Sequence, residues 1–232
     1  MRLRNLFAVN ALMLLSVSAA AVFADDRHSD AEKLLFETDH LKKFTKPAKL
    51  HYSFVKGGTL EQSFQDDVDI SVDKILPDGG KNITAQFLSG PNKINFPPTE
   101  EARSNPVLLL FLERDIREMK RLTGGQPSYF RKRIRIALAD HATVRPVKFV
   151  FDGKEINGEE IKITPYVNDE LKERFGKHVG KYYLFTLSNQ IPGWVYQLRC
   201  VTPDIQSGGS SGEHPLIEET LTFSPSEKRA DR

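Results

Sequence analysis

The groups that could carry catalysis or hold a metal in this 232-residue chain are six histidines, one cysteine and 31 acidic residues. His28, His40, His51, His141, His178 and His214 show no metal-ligand spacing. There is no His-Glu-x-x-His helix, no Gly-x-Ser-x-Gly elbow and no phosphate-binding glycine loop. Asp66, Asp67, Asp69 and Asp73 crowd four carboxylates together, which invites calcium. A calcium loop, however, gathers its oxygens on a tight turn with a glycine and a closing glutamate. Here the acids interleave with Val68, Ile70 and Val72, the pattern of a strand with one wet face. Glu159 and Glu160 are adjacent on a strand-like run and point to opposite sides, so they cannot act together locally. Cys200 has no nucleophile signature and reads as a small buried hydrophobe. The expectation is a non-enzymatic protein with no metal and no cofactor. An enzyme assembled from residues distant in sequence is one alternative.

Binding is the chemistry that the side chains do suggest. Val107, Leu108, Phe111 and Leu112 lie in an unbroken apolar run at the start of a helix, a pattern that implies burial on every side there. They read as core or as the lining of an apolar cavity. Tyr183, Phe185, Trp194 and Tyr196 concentrate aromatic rings in one hairpin. They read as cross-strand packing or as the wall of an apolar binding site with hydroxyls to orient a ligand. Arg131, Lys132, Arg133 and Arg135 form the densest basic run, a candidate surface for an envelope partner protein or else a solvated helix face.

A helix over 105–125 must position the first of these sets. Asn105 is a capping residue, Pro106 suits the first helical position, and Gly124 and Gly125 stop the helix. Leu108, Leu112, Ile116 and Met119 make an apolar stripe at helical period. Glu113–Arg117 and Glu118–Arg121 have the spacing of surface ion pairs. Ser128 caps a second helix over 129–139, where the alternation of Ile134, Ile136 and Leu138 also fits a strand. Asn168 caps a short third helix over 169–175.

The rest reads as strands. Period-two alternation marks 49–56, 64–75 and 83–88, followed by a proline-marked connection over 90–104. A hairpin follows from 147–151 and 156–164, with turn signals at both Asp152-Gly153 and Asn157-Gly158. Strands at 182–187, 194–201 and 216–223 complete the set, the last added antiparallel beside 194–201. The fold class expected is α+β: a curved, mostly antiparallel sheet forming an incomplete barrel, with two or three helices covering its concave face.

The organisation expected is a signal peptide over 1–24, a polar lead-in over 25–48, one α+β domain over 49–225 and a disordered tail over 226–232. Arg2 and Arg4 precede an apolar stretch, and Val22-Phe23-Ala24 resembles a small-x-small cleavage site. Cleavage after Ala24 would deliver a periplasmic or secreted protein. The chain has 33 basic and 31 acidic residues, and loss of Arg2 and Arg4 leaves 31 of each. Net charge therefore gives no support for nucleic-acid binding. No other segment is long and apolar enough to span a bilayer. A single cysteine excludes an internal disulfide, so packing must hold the fold.

The leader, the strand–helix–hairpin order and the closing segment YYLFTLSNQIPGWVYQLR give the chain its family likeness. It resembles the periplasmic lipoprotein carriers and related secreted β-proteins of unknown function. The resemblance is architectural and carries over no binding residue by motif. It implies a carrier or sensor for acyl chains or another apolar ligand.

Overall fold

The computed structural model describes residues 28–204 and 215–225. The expected leader, the 207–212 loop and the 226–232 tail lie outside the described residues. Nine strands form one sheet in the order β4-β3-β2-β1-β9-β8-β7-β6-β5, and every neighbouring pair runs antiparallel. The strands are β1 (Ala48–Gly57), β2 (Phe64–Ile75), β3 (Lys81–Phe87), β4 (Thr99–Ala102), β5 (Thr143–Phe151), β6 (Lys154–Ile163), β7 (Tyr182–Leu187), β8 (Val195–Thr202) and β9 (Ile217–Phe223).

The sheet is open at β4 and β5, yet it is rolled. In a flat sheet β5 and β8 would stand about 14 Å apart, and β5 and β9 about 19 Å. Instead Phe149 of β5 stacks on Tyr196 of β8 at 4.1 Å between ring centroids, and Phe151 meets Phe223 of β9 at 5.8 Å. These contacts require the edge hairpin to curl over the inner face. Gly158 makes part of that curl feasible: a Cβ there would stand 2.8 Å from Phe149 Cε1 and 2.5 Å from Leu187 O. Asn157-Gly158 is thus a close-approach point inside β6, and the hairpin turns at Asp152-Gly153, whose φ values are 49° and 72°.

The helices α1 (Asp30–Glu32), α2 (Val107–Thr123) and α3 (Pro127–Asp140) pack on the sheet at β5, β8 and β6 respectively. After α1 the chain continues as a π-helical turn, Lys33–Glu37. It buries Leu35 and packs Leu34 and Phe36 against the core. Helix α2 ends at Gly124 with φ 72°, as its sequence requires. Its stripe of Leu108, Leu112, Ile116 and Met119 is buried. Its first turns are not buried all round, because an open sheet covers only one side, and Leu109 is 54 % exposed.

Four local expectations are corrected. Glu113 pairs with Arg131 of α3 and not with Arg117, whose guanidinium lies over Phe96 at 5.4 Å. Helix α3 starts at Pro127 behind an uncapped Gln126, so Ser128 sits inside it. The third helix is instead 3₁₀ over Lys172–His178, broken by a kink at Gly176 (φ 51°, ψ −124°), and the Asp169 carboxylate takes the Leu171 N–H in the turn just before it. The 90–104 connection contains β4, a four-residue strand whose two glutamates hide any alternation.

Candidate functional site

Two features of the interior could do chemistry, one at each end of α2. At the end nearer its C-terminus, charged residues break the apolar face. Lys56, Glu219, Cys200 and Tyr183 are successive register partners across β1, β9, β8 and β7, a single transverse row of the sheet. Helix α2 lays Arg114, Asp115 and Glu118 over that row. Arg114 Nη1 donates to Glu219 at 2.6 Å, and Lys56 Nζ reaches Glu118 at 3.2 Å and Glu219 at 3.6 Å. Asp115 accepts from the Lys181 ammonium, from the Tyr183 hydroxyl and from Cys200 Sγ, the last at 3.1 Å. The side chains of Asp115, Lys181 and Glu219 are at most 4 % exposed.

The cluster is built to hold charge. Burial would lower the Lys181 ammonium, but the Asp115 carboxylate overcomes this and raises it. Burial and the Asp115 charge push the Cys200 thiol and the Tyr183 phenol well up, so both are held protonated at neutral pH. A protonated, enclosed thiol is a poor nucleophile. The Tyr166 hydroxyl is buried beside Tyr183, and its acidity is suppressed by burial first and Asp115 second.

His178 packs beside this cluster, its Nδ1 3.4 Å from Thr202 Oγ1. Burial, then Lys181 and Lys177, pushes its pKa down to about 4. The folded state keeps this imidazole neutral while the unfolded chain takes up a proton near pH 6.5. Stability is therefore expected to fall as pH drops from about 6.5 to about 4, by up to about 3 kcal/mol. Urea midpoints measured across that window should show the slope, and His178→Gln should flatten it. An unchanged slope in the variant would assign the effect to other groups.

The other feature is a cleft of about 800 Å³ at the rolled edge of the sheet. Leu34 of the π-helical turn roofs it, Val147 and Leu187 wall it, and Trp194 stands at its side. Asn105 locks this end together. Its amide nitrogen donates to Tyr52 Oη at 2.8 Å and Gly193 O at 3.0 Å, and its carbonyl accepts from Val107 N–H at 3.2 Å. Its own N–H donates to His40 Nδ1 at 3.1 Å, so His40 Nε2 must carry the proton it donates to Leu34 O, 2.8 Å away. The His40 ring also lies 5.6 Å from Trp194. Roof, helix start and side wall therefore share one buried hydrogen-bond hub. Trp194 itself holds φ 63°, a backbone conformation unusual for a side chain of its size.

The residues expected to bind an apolar ligand are not gathered in one place. Val107, Leu108, Phe111 and Leu112 are buried in the core, as are Tyr183 and Phe185. Tyr196 is half-buried and stacked on Phe149, and Trp194 alone lines the cleft. Of the basic run, Arg131 makes a bidentate pair with Glu113 at 2.6 and 2.7 Å, and Arg133 pairs with Asp169 at 2.7 Å. Lys132 and Arg135 are exposed, with no ion pair among the described residues. Sequence reading missed Leu34, Val147 and Leu187 in the cleft, and Lys56, Arg114, Asp115, Lys181 and Glu219 in the charge cluster. Four of the latter had a legible signal. Asp115 falls midway between Phe111 and Met119 on the helix stripe, and Lys56, Lys181 and Glu219 fall in the apolar phase of their strand runs. Among the described residues no three His, Cys, Asp or Glu side chains are gathered to hold a metal, and no helix is long and apolar enough to cross a membrane.

The fold is thus an open, rolled antiparallel sheet with helices on its concave face and an apolar cleft at one edge. No protein-family model and no curated protein matches the sequence. Solved structures are similar in architecture. The lipoprotein LppX of Mycobacterium tuberculosis matches at a TM-score of 0.31 and 12 % identity, over 80 % of this chain and 88 % of that one. A LolA superfamily protein of Nitrosomonas europaea matches at 0.22 and 9 %, over 84 % and 91 %. A domain of an outer-membrane lipoprotein-sorting type from Vibrio parahaemolyticus matches at 0.25 and 5 %, over 79 % and 86 %. At TM-scores and identities this low, the matches carry no argument about family, ligand or role.

Proposed function

We propose that the protein is an exported, non-enzymatic binder of a single apolar or acyl chain, held in the cleft beneath Leu34. The observation that carries this reading is the cleft itself. Its volume lies in the range of small-ligand sites, and its lining is mostly apolar. Its one lysine, Lys148, is already neutralised by Glu155 at 2.8 Å. Glu159 is the other charged residue of the lining, and the apolar surface of Leu34, Val147, Leu187 and Trp194 is what favours hydrocarbon.

Trp194 makes the test direct, because it is the sole tryptophan and it lines the cleft. Titration with dodecanol or monolauroylglycerol, which are neutral, should shift its emission to the blue and saturate near one equivalent. An emission spectrum that does not move, with no ligand retained on gel filtration, would sink the reading.

A further inference from the structure

At the opposite end of α2 from Trp194 a second cleft, of about 670 Å³, opens between the α2–α3 turn and the 3₁₀ segment. The sequence builds it in three steps. Gly124 ends α2 in the left-handed conformation. Gly125 then lets the Phe130 ring press against the backbone, where a Cβ would stand 2.4 Å from Phe130 Cζ. Phe175 completes an aromatic floor, 6.2 Å from Phe130 and 6.3 Å from Tyr129 between centroids. The Tyr129 hydroxyl is already spent on Asp169, at 2.8 and 2.9 Å, so the floor presents ring carbon and no free phenol.

The lining carries two cations, Lys132 and Arg174, and no carboxylate. Both are exposed, and neither makes an ion pair among the described residues. That sets Lys132 apart from its neighbours Arg131 and Arg133, whose charges are met by Glu113 and Asp169. Helix α3 adds potential of the same sign, since it begins here without a side-chain cap. An aromatic floor beneath two unmatched positive charges complements a ligand that is apolar along its body and anionic at one end.

We propose that this cleft binds a free, small organic anion, a short hydrocarbon chain ending in a carboxylate or phosphate, with the chain on Phe130 and Phe175 and the anion between Lys132 and Arg174. The site is independent of the cleft at Trp194: α2 separates them by about 25 Å along its axis. A protein with both would meet neutral hydrocarbon at one end and acidic amphiphile at the other.

The test is a titration of the ¹⁵N-labelled protein with decanoate and decyl phosphate below their micelle concentrations, followed by amide shifts. The expected result is saturable movement of Gly124, Gly125, Ser128 and Phe175. Decanol, with the same chain and no charge, should move these amides at least tenfold more weakly. The double variant Lys132→Glu/Arg174→Glu alters two exposed side chains and should keep its fold, shown by unchanged shifts elsewhere, while losing decanoate affinity at least tenfold. Equal affinity in that variant overturns the proposal, as does equal binding of decanol or movement confined to residues 187–194. Binding seen only with phosphatidylglycerol vesicles and not with the free anions would make this a membrane-surface contact and likewise overturn it. The Trp194 emission reads the first cleft separately, so failure at one site cannot be mistaken for failure at the other.

Discussion

Replacing Asp115 with alanine is expected to destabilise the protein by about 3–5 kcal/mol, because it leaves the Lys181 ammonium buried without its counter-charge. The Tyr183 hydroxyl and the Cys200 thiol lose their acceptor in the same stroke. Against a total stability of about 5–15 kcal/mol for an ordinary domain, that is a large fraction. Lys181→Met should cost a similar amount by stranding the carboxylate. The double variant Asp115→Leu/Lys181→Met should recover much of the loss, since a buried ion pair and an apolar pair of similar volume often differ little. With Asp115→Leu as the matching single variant, urea unfolding of the wild type, Asp115→Leu, Lys181→Met and the double closes the cycle. A single-variant loss below about 1 kcal/mol would mean that the pair is solvated in practice. Additive losses in the double variant would mean that the two residues do not depend on each other.

Leu34→Arg should abolish uptake of neutral acyl ligands at the first cleft, with at least a tenfold loss of affinity, about 1.4 kcal/mol or more. The substitution replaces the apolar roof with a cation that hydrocarbon cannot solvate. Leu34 is only half-buried, so the guanidinium can turn to water in the empty protein and the melting temperature should move by a few degrees at most. The Trp194 emission gives both the affinity and a check that the wall is intact. Wild-type affinity in this variant would place the hydrocarbon somewhere other than under the π-helical turn.

Much of the fold is legible in the sequence because its signals are local. The ranges read for 64–75 and 182–187 are those of β2 and β7, and Gly124 marks the end of α2. The cleft was not legible. Leu34, Val147, Leu187 and Trp194 come from four separate segments, and only the roll of the sheet brings them together. Trp194 stood out by its type, whereas the three aliphatic residues look like any others in the chain. The charge cluster failed for a different reason. Lys56, Asp115, Lys181 and Glu219 sit in phase with core positions, but charge alone suggests surface, and only their pairing across β1, α2, β7 and β9 makes burial tolerable. Asn157-Gly158 leaves the register open in the sequence because the same dipeptide serves a tight turn or a close approach, and the deciding neighbour, Leu187, lies outside the local sequence.

The pairing of β1 with β9 has a consequence for how the chain comes together. The sheet consists of two meanders, β4 to β1 and β9 to β5, and only this seam joins them. Its partners lie at the two ends of the chain, Tyr52 opposite Phe223 and Lys56 opposite Glu219. Of the described strands β9 comes last in the chain, so the first meander keeps an unmet edge until that strand arrives. The halves can assemble early, but the closing step is a long-range one and therefore slow. The buried ion pairs Lys56–Glu219 and Arg114–Glu219 form only at that step, so cooperativity is concentrated in the final strand. A chain cut before Ile217 would keep β1 to β4 and β5 to β8 as separate halves and lose the strand that joins them.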